Sequence, residues 1–312
     1  MSILYLLLPD IILVALGWFM LNKLNFAREF FANTEKMVYF LMFPALLFRS
    51  VLASPLSIST AGASLLACVL LALAGLLLAL GSRLFLTVDQ RALNSTQQCV
   101  YRFSTYLALS IGPGVGGTDG LAIMAIFIGF TVPLVNVMAV RALAAESGGS
   151  VLKSIISNPL VITTVLAVSL NLLGFKLPAV LDNTLLKLGQ ASIPLGLICV
   201  GAALKLREGT VNAPIVAWMT VTRLVMMPLF ALLIAIVVGF STLQTQMFMI
   251  FSAIPTAPAA YVLAVRMGGD ARLVANIISV QTLSCLLTLP IWLFFIVKSD
   301  FLQTITNSVS YT

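Results

Sequence analysis

An all-α integral membrane protein, with ten transmembrane helices in two inverted five-helix repeats, is the fold that three features of this sequence predict. Of its 312 residues, 61% are hydrophobic and 9% are charged. Soluble domains are roughly 45–50% apolar and about 25% charged, and a chain so poor in charge cannot cover a water-facing surface. The apolar residues also fall into about ten runs near the ~20 residues that a helix needs to cross a bilayer. Finally, proline and Gly-Asp positions recur between the two halves at one offset.

The runs are bounded by Gly, Pro and charge. The first, Ile3–Leu21, has no basic residue before it and is as long as a full span, so it reads as a membrane helix and not as a cleaved signal peptide. Pro9 opens it, and Asp10 lies near its outer edge. Thr34–Leu52 carries Pro44 inside and Arg49 at an interfacial end. Thr60–Leu84 is uninterrupted, Gln97–Pro113 is short, and Leu121–Ala144 completes the first half. Pro159–Leu173, Leu185–Leu204, Ala213–Val238, Leu243–Met267 and Ala271–Val297 form the second.

Loop charge orients these spans. The loops after odd-numbered helices hold Lys23, Arg28, Lys36, Arg83, Arg91, Arg141, Lys153, Lys205, Arg207, Arg266 and Arg272, whereas the opposite side holds Lys176, Lys187 and Lys298. Basic loops resist translocation. The odd loops are therefore placed in the cytoplasm and both termini on the non-cytoplasmic side of a cell (inner or plasma) membrane. The net charge of +7 is absorbed by this asymmetry and implies no nucleic-acid partner.

Pro9 and Pro44 stand 35 residues apart, as do Pro159 and Pro194, and the two pairs are offset by 150. The GGTDG around Asp119 matches the MGGD ending at Asp270 at an offset of 151. The halves are 1–146 and 151–300. Five spans per half is odd, so the second half enters the membrane upside down, and inverted repeats of this kind enclose midplane sites in secondary transporters.

Several chemistries are excluded. Without histidine there is no Ser-His-Asp triad, Cys-His dyad, HExxH zinc site or imidazole relay. Cys68, Cys99, Cys199 and Cys285 are scattered singly through apolar stretches, as buried small hydrophobes are. An intramembrane GxGD protease is excluded because Met267 holds the first glycine position, so no enzyme is expected. Gly112–Gly117 spells GxGxxG, but no strand precedes it. The sequon Asn94-Ser-Thr96 falls on the cytoplasmic side.

The chain should break inside the membrane. Pro255 and Pro258 lie mid-span in SAIPTAPAAYVLAV, each removing a backbone donor, and free backbone at that depth is tolerated only where it lines a cavity. Thr256 and Tyr261 are the polar side chains there; a plain proline kink is the competing reading. The counterpart in the first half is RFSTY, with Arg102, Ser104, Thr105 and Tyr106. Arg102 either faces a cavity or snorkels to the cytoplasmic surface. Arg223 stands in the eighth span with no acidic residue in that helix. It suits a carboxylate held bidentately or, equally, backbone carbonyls of a broken helix. Asn136, Gln281 and Thr282 read as interhelical hydrogen-bonding residues. Asp119 and Asp270 read as helix caps, with ion coupling as the alternative.

At FPALLF (Phe43–Phe48), RFSTY, VPLVNV (Val132–Val137), NPL (Asn158–Leu160), SIPLGLICVGAAL (Ser192–Leu204) and PTAPAAYVLAVRMGGDARL (Pro255–Leu273), the sequence resembles the auxin efflux carrier (PIN-like) family of permeases, in particular its bacterial malate/malonate branch. The resemblance implies a bile-acid-symporter-like fold in which broken helices four and nine cross at the midplane around the substrate. The family often has Asn where Ser104 stands and Lys where Arg223 stands.

The expected function is secondary active transport of a small organic anion, a mono- or dicarboxylate such as malonate or malate, by alternating access. Arg102, Ser104, Thr105, Tyr106, Arg223, Pro255, Thr256, Pro258 and Tyr261 would form the substrate site, with no cofactor or metal and with H+ or Na+ as candidate coupling ions. The remaining partners are the lipid bilayer and a second copy in a homodimer. A channel or a non-transporting receptor for a small anion is the alternative.

Overall fold

The structure, a computed structural model, describes residues 3–52, 58–144, 159–203, 212–257 and 259–298, and the described residues form helices and no strand. In chain order these are α1 (Ile3–Asn22), α2 (Arg28–Met37), α3 (Phe43–Leu52), α4 (Ile58–Leu80), α5 (Ser82–Phe85), α6 (Gln90–Thr96), α7 (Gln98–Tyr101) and α8 (Thr105–Ala144). They continue as α9 (Pro159–Leu172), α10 (Ala179–Ala203), α11 (Ala213–Val221), α12 (Met227–Val238), α13 (Thr242–Ala253), α14 (Ala259–Arg266) and α15 (Ala271–Lys298). Five-residue π-turns, Val38–Met42 and Thr222–Met226, join α2 to α3 and α11 to α12. Pro258, Lys153, Lys205, Arg207 and the junction of the two sequence halves lie outside the described residues.

Among the described residues, five stretches are long and apolar enough to cross a membrane: Gly62–Phe85, Leu107–Leu143, Ala179–Ala203, Ala213–Val238 and Ala271–Ile296. Of the other predicted spans, the first is the 20-residue α1 and the sixth is the 14-residue α9, while two are interrupted. The second begins with the polar α2, and the ninth is divided into α13 and α14. The seventh starts at Ala179, earlier than the predicted Leu185, because the charge of Asp182 is matched by Arg49.

The long α8 is two helices. Gly117 has φ +59° and ψ −143°, backbone that only glycine adopts without strain. A straight helix would hold Gly112 and Met124 about 18 Å apart. Instead a Cβ on Gly112 would lie 2.9 Å from Met124 Cγ, so the chain doubles back at the GGTDG segment. Predicted spans four and five are thus separated where a loop is expected.

The chain forms two compact units that cut across the two sequence halves. Unit 1 is Met1–Leu65, Thr105–Pro133 and Ile156–Leu204; unit 2 is Leu66–Ser104, Leu134–Ile155 and Lys205–Thr312. In unit 1, α1 crosses α10 with backbone nearly touching backbone. A Cβ on Gly17 would fall 1.9 Å from Ile198 O, and one on Gly201 would fall 1.8 Å from Val14 O. Small residues permit this approach, which dispersion rewards where lipid offers no hydrophobic drive. The second span also lies along α10. Cys199 Sγ meets Phe31 O at 3.6 Å, a Cβ on Gly189 would lie 2.9 Å from Leu46 Cδ1, and Arg49 Nε sits 2.8 Å from Asp182 Oδ1. The residue numbers rise on one strand of contacts as they fall on the other, so the two spans run antiparallel. Asn171 Nδ2 closes the end of α3 by donating to Val51 O and Leu52 O at 3.1 and 2.9 Å.

A connection recurs within unit 1. Leu21–Phe26 reads LNKLNF and Leu170–Phe175 reads LNLLGF. Both turns take a left-handed residue at the fifth position, Asn25 at φ +55° and Gly174 at φ +71°.

Unit 2 packs α4 against α11 and α12, again antiparallel. Trp218 Nε1 donates to Leu78 O at 3.0 Å, and a Cβ on Gly75 would lie 3.2 Å from Met227 Cε. Trp292 Nε1 on α15 donates to Leu224 O at 2.8 Å. Ala72, Tyr101, Val135 and Ala139 form a buried cluster beneath Leu76, Leu134, Met138 and Leu263. These contacts bring two interruptions of the helical backbone together.

Candidate functional site

The first interruption follows α7: Arg102, Phe103 and Ser104 leave the helix, and α8 resumes at Thr105. No proline lies in this stretch. The second follows α13: Ile254, Pro255, Thr256 and Ala257 are non-helical, and α14 begins at Ala259. Here the Pro255 ring denies a donor to the preceding turn. Each interruption frees carbonyls that the membrane interior cannot hydrate.

Four carbonyls at the two breaks receive protein donors. Ser104 N donates to Pro255 O at 2.8 Å, tying the two breaks directly. Thr256 Oγ1 donates to Cys99 O at 2.6 Å. Arg223 Nε donates to Ile254 O at 2.8 Å, and its Nη1 donates to Val100 O at 2.9 Å. Gln281 accepts from Thr256 N at 3.1 Å through Oε1 and donates through Nε2 to Cys99 O and Met219 O, both at 3.0 Å.

The eighth span supplies the guanidinium through its π-turn. This wider turn is frequent at functional sites; here it contains Arg223, whose neighbour Thr222 donates through Oγ1 to Trp218 O. Arg223 is 1% exposed. Its cation lies at the carbonyl ends of α7 and α13, where helix dipoles favour positive charge. Of the two alternatives for Arg223, the described contacts are with backbone carbonyls. Arg223 Nη2, Ser104 Oγ and Tyr101 OH are buried with no hydrogen-bond partner among the described residues. A guanidinium carries five donors and stays charged, so the group keeps donor capacity after binding both carbonyls.

The structure thus brings Ser104, Pro255, Thr256, Arg223 and Gln281 together in unit 2. Arg102 is half-buried beside them, its Nη1 3.3 Å from Gln98 Oε1. Thr105, half-buried, and Tyr106 open α8, whose first stretch belongs to unit 1; the Tyr106 side chain lies outside what is described. Tyr261 on α14 and Asn136 on α8 are half-buried, and Thr282 Oγ1 is spent on Ile278 O of its own helix. The two aspartates lie elsewhere. Asp119 is exposed just beyond Gly117. Asp270 caps α15, its Oδ1 accepting from Leu273 N at 3.0 Å while its N donates to Ser95 Oγ at 2.7 Å.

Some participants escape sequence reasoning. The Cys99 and Val100 carbonyls are backbone atoms and leave no trace in residue type. Arg91, counted above only as a loop charge, donates through Nη2 to Gly268 O at 2.8 Å and so braces the turn that holds Asp270. Arg49 is read as interfacial, yet it forms a two-point pair with Asp182, its Nη2 lying 3.0 Å from Oδ2. An acidic residue early in the seventh span is the signal that would have found it.

Comparison with known proteins points to membrane transport. Residues 122–293 match the family described as membrane transport protein. The chain is 30% identical over 301 residues to an uncharacterised transporter of Methanothermobacter thermautotrophicus, covering 91% of this chain and 95% of that protein. It is 26% identical over 226 residues to an uncharacterised transporter of Methanocaldococcus jannaschii, 68% of this chain and 71% of the relative. It is 29% identical over 149 residues to the uncharacterised transporter YfdV of Escherichia coli, 48% of this chain and 47% of that protein. A multi-pass helical chain with two backbone breaks pinned around a buried guanidinium, similar along nearly its whole length to one such relative, belongs to the membrane transport protein family of auxin efflux carrier-like permeases and is not an enzyme.

Proposed function

We propose that this transporter carries small organic anions, mono- or dicarboxylates such as malonate or malate, by alternating access across the cell membrane. The observation that carries this reading is Arg223: a fully buried cation with no carboxylate partner among the described residues, set behind two helix breaks. An uncompensated charge at such depth is costly. An arriving carboxylate lowers that cost, whereas a cationic substrate raises it. Ser104 Oγ, together with amides at the start of α14, would contact the anion; Thr256 would hold the break open through its bonds to Cys99 O and Gln281, and the guanidinium would supply positive potential from behind. Helix N-termini favour negative charge in the same sense.

Antiparallel packing supports the inverted-repeat component. The second and seventh spans, repeat mates through Pro44 and Pro194, run antiparallel in unit 1; α4 and α11, from the third and eighth spans, do so in unit 2. Opposed copies give a carrier two related states that open to opposite sides.

The test is uptake of labelled malonate and malate into proteoliposomes, with pH and Na+ gradients imposed separately. Saturable uptake, inhibited by other small carboxylates and not by amines of equal size, is expected. Equal inhibition by anions and amines, or no uptake of any carboxylate, overturns the reading. The dependence on the two gradients assigns the coupling ion, H+ or Na+.

A further inference from the structure

The repeated connection LNKLNF/LNLLGF has a surface unlike that of a turn in water. Such turns are the most hydrated part of a fold and are built from polar residues. Here Leu24 and Phe26 are 53% and 39% exposed in the first copy, and Leu173 and Phe175 are 80% and 47% exposed in the second. Bilayer hydrocarbon is no better a home, because an irregular backbone cannot satisfy its polar groups there. Between water and hydrocarbon lies the headgroup boundary, which takes apolar bodies and charged flanks together.

The flanks fit that boundary. Lys23 and Arg28 are exposed on either side of the first turn, against Glu29 alone, and Lys176 follows the second. The helix after the first turn, α2, is amphipathic: Phe31 is buried while Arg28, Glu29, Phe30 and Lys36 are exposed. Phe26, Phe30 and Phe31 pack edge to face or tilted, with centroids 5.2–6.5 Å apart, so Phe26 is held in place by its neighbours. The two turns lead into the starts of the second and seventh spans. These spans run antiparallel, as the Phe31–Cys199 and Arg49–Asp182 contacts require, so the turns stand at opposite ends of unit 1.

We infer that the two copies of this turn are lipid-interface anchors, one in each leaflet, each seating a Leu–Phe pair at the boundary of phospholipid headgroups and acyl chains with its basic neighbours among the phosphates. The anchor fixes the depth of unit 1 from both sides.

Site-directed spin labelling in liposomes of phosphatidylcholine with one-fifth phosphatidylglycerol tests this. Cysteine replaces Phe26 or Phe175 one at a time, with Leu24→Cys and Leu173→Cys as second positions should either aromatic variant fold poorly. The four native cysteines are buried, and the unsubstituted protein gives their background. Relative access to oxygen and to a water-soluble nickel chelate should place both labels within about 5–10 Å of the headgroups on the acyl side. A membrane-impermeant thiol reagent should reach the two positions from opposite faces of oriented vesicles. Labels equally open to the chelate as a free label in water, labels at the bilayer centre, or reaction of both positions from one face overturn the inference. Spin–spin broadening that vanishes on dilution with unlabelled protein also overturns it, because it assigns the surface to a second copy of the chain.

Discussion

Gln281 shows how a single side chain can hold a site that it need not touch. Its amide oxygen faces one N–H and its amide nitrogen faces two carbonyls, an arrangement that only a neutral carboxamide completes. Gln281→Leu strands the Thr256 amide and the Met219 carbonyl, at about 1–3 kcal/mol for each unpaired group. The expected result is a lower melting temperature and uptake reduced at least tenfold. Gln281→Glu is more specific: a carboxylate there points an acceptor at two carbonyl oxygens. Uptake is expected to be lost at neutral pH and to recover in part as the pH falls, because the protonated acid regains one donor; a flat pH profile in this variant would contradict the geometry. Arg223→Lys keeps the charge and loses the planar fork that spans Ile254 O and Val100 O. It should fold and bind carboxylate several-fold more weakly, whereas Arg223→Gln should lose anion selectivity outright in competition uptake. The sequence displays Arg223 as an anomaly in an apolar helix, but its two carbonyl acceptors lie 31 and 123 residues away, and no local pattern reports them.

At the scale of elements, the breaks and the close crossings have different origins. The second break follows from Pro255 and is readable from composition. The first, at Arg102–Ser104, contains no breaker; only its partners, Pro255 O for Ser104 N, Arg223 for Val100 O, and Thr256 and Gln281 for Cys99 O, stabilise the unwound form. Pro255→Ala should therefore leave a recognisable site, with uptake reduced less than by Arg223→Gln, because the acceptors that hold the first break survive the substitution. Crossing geometry gives a sharper contrast. Gly17→Ala and Gly201→Ala each place a methyl group inside 2 Å of a backbone oxygen, whereas a Cβ on Gly62 meets nothing within 4 Å. The first two should lower the yield of folded protein in detergent and the third should not, as judged by size-exclusion profiles and melting curves. Gly117→Ala should destabilise by about 1–3 kcal/mol through its backbone alone, although nothing crowds that position.

At the scale of the whole molecule, the 150-residue offset and the spatial units divide the chain differently. The first half contributes 1–65 and 105–133 to unit 1 and 66–104 and 134–146 to unit 2, whereas the second half gives 156–204 to unit 1 and the rest of its length to unit 2. Each unit therefore draws helices from both halves, because a helix buries its face against whichever neighbour complements it and not against its nearest neighbour in sequence. Reporter fusions test the topology. A periplasmic-type alkaline phosphatase joined after residue 298 should be active and a fluorescent protein there dark, as expected for a non-cytoplasmic C-terminus; the reverse result would invalidate the loop-charge argument.

By itself the sequence determined that this is a multi-pass helical membrane protein, because hydropathy, charge scarcity and loop basicity are sums over residues that need no coordinates. It also displayed the proline break and the lone arginine, since each violates the rule for its own helix. Only the tertiary structure decided what the arginine holds, that a proline-free stretch unwinds, and that Arg49 meets Asp182. Those facts are pairings between distant backbone and side-chain atoms, and a hydrogen bond leaves no mark on a sequence until both its ends are brought within 3 Å.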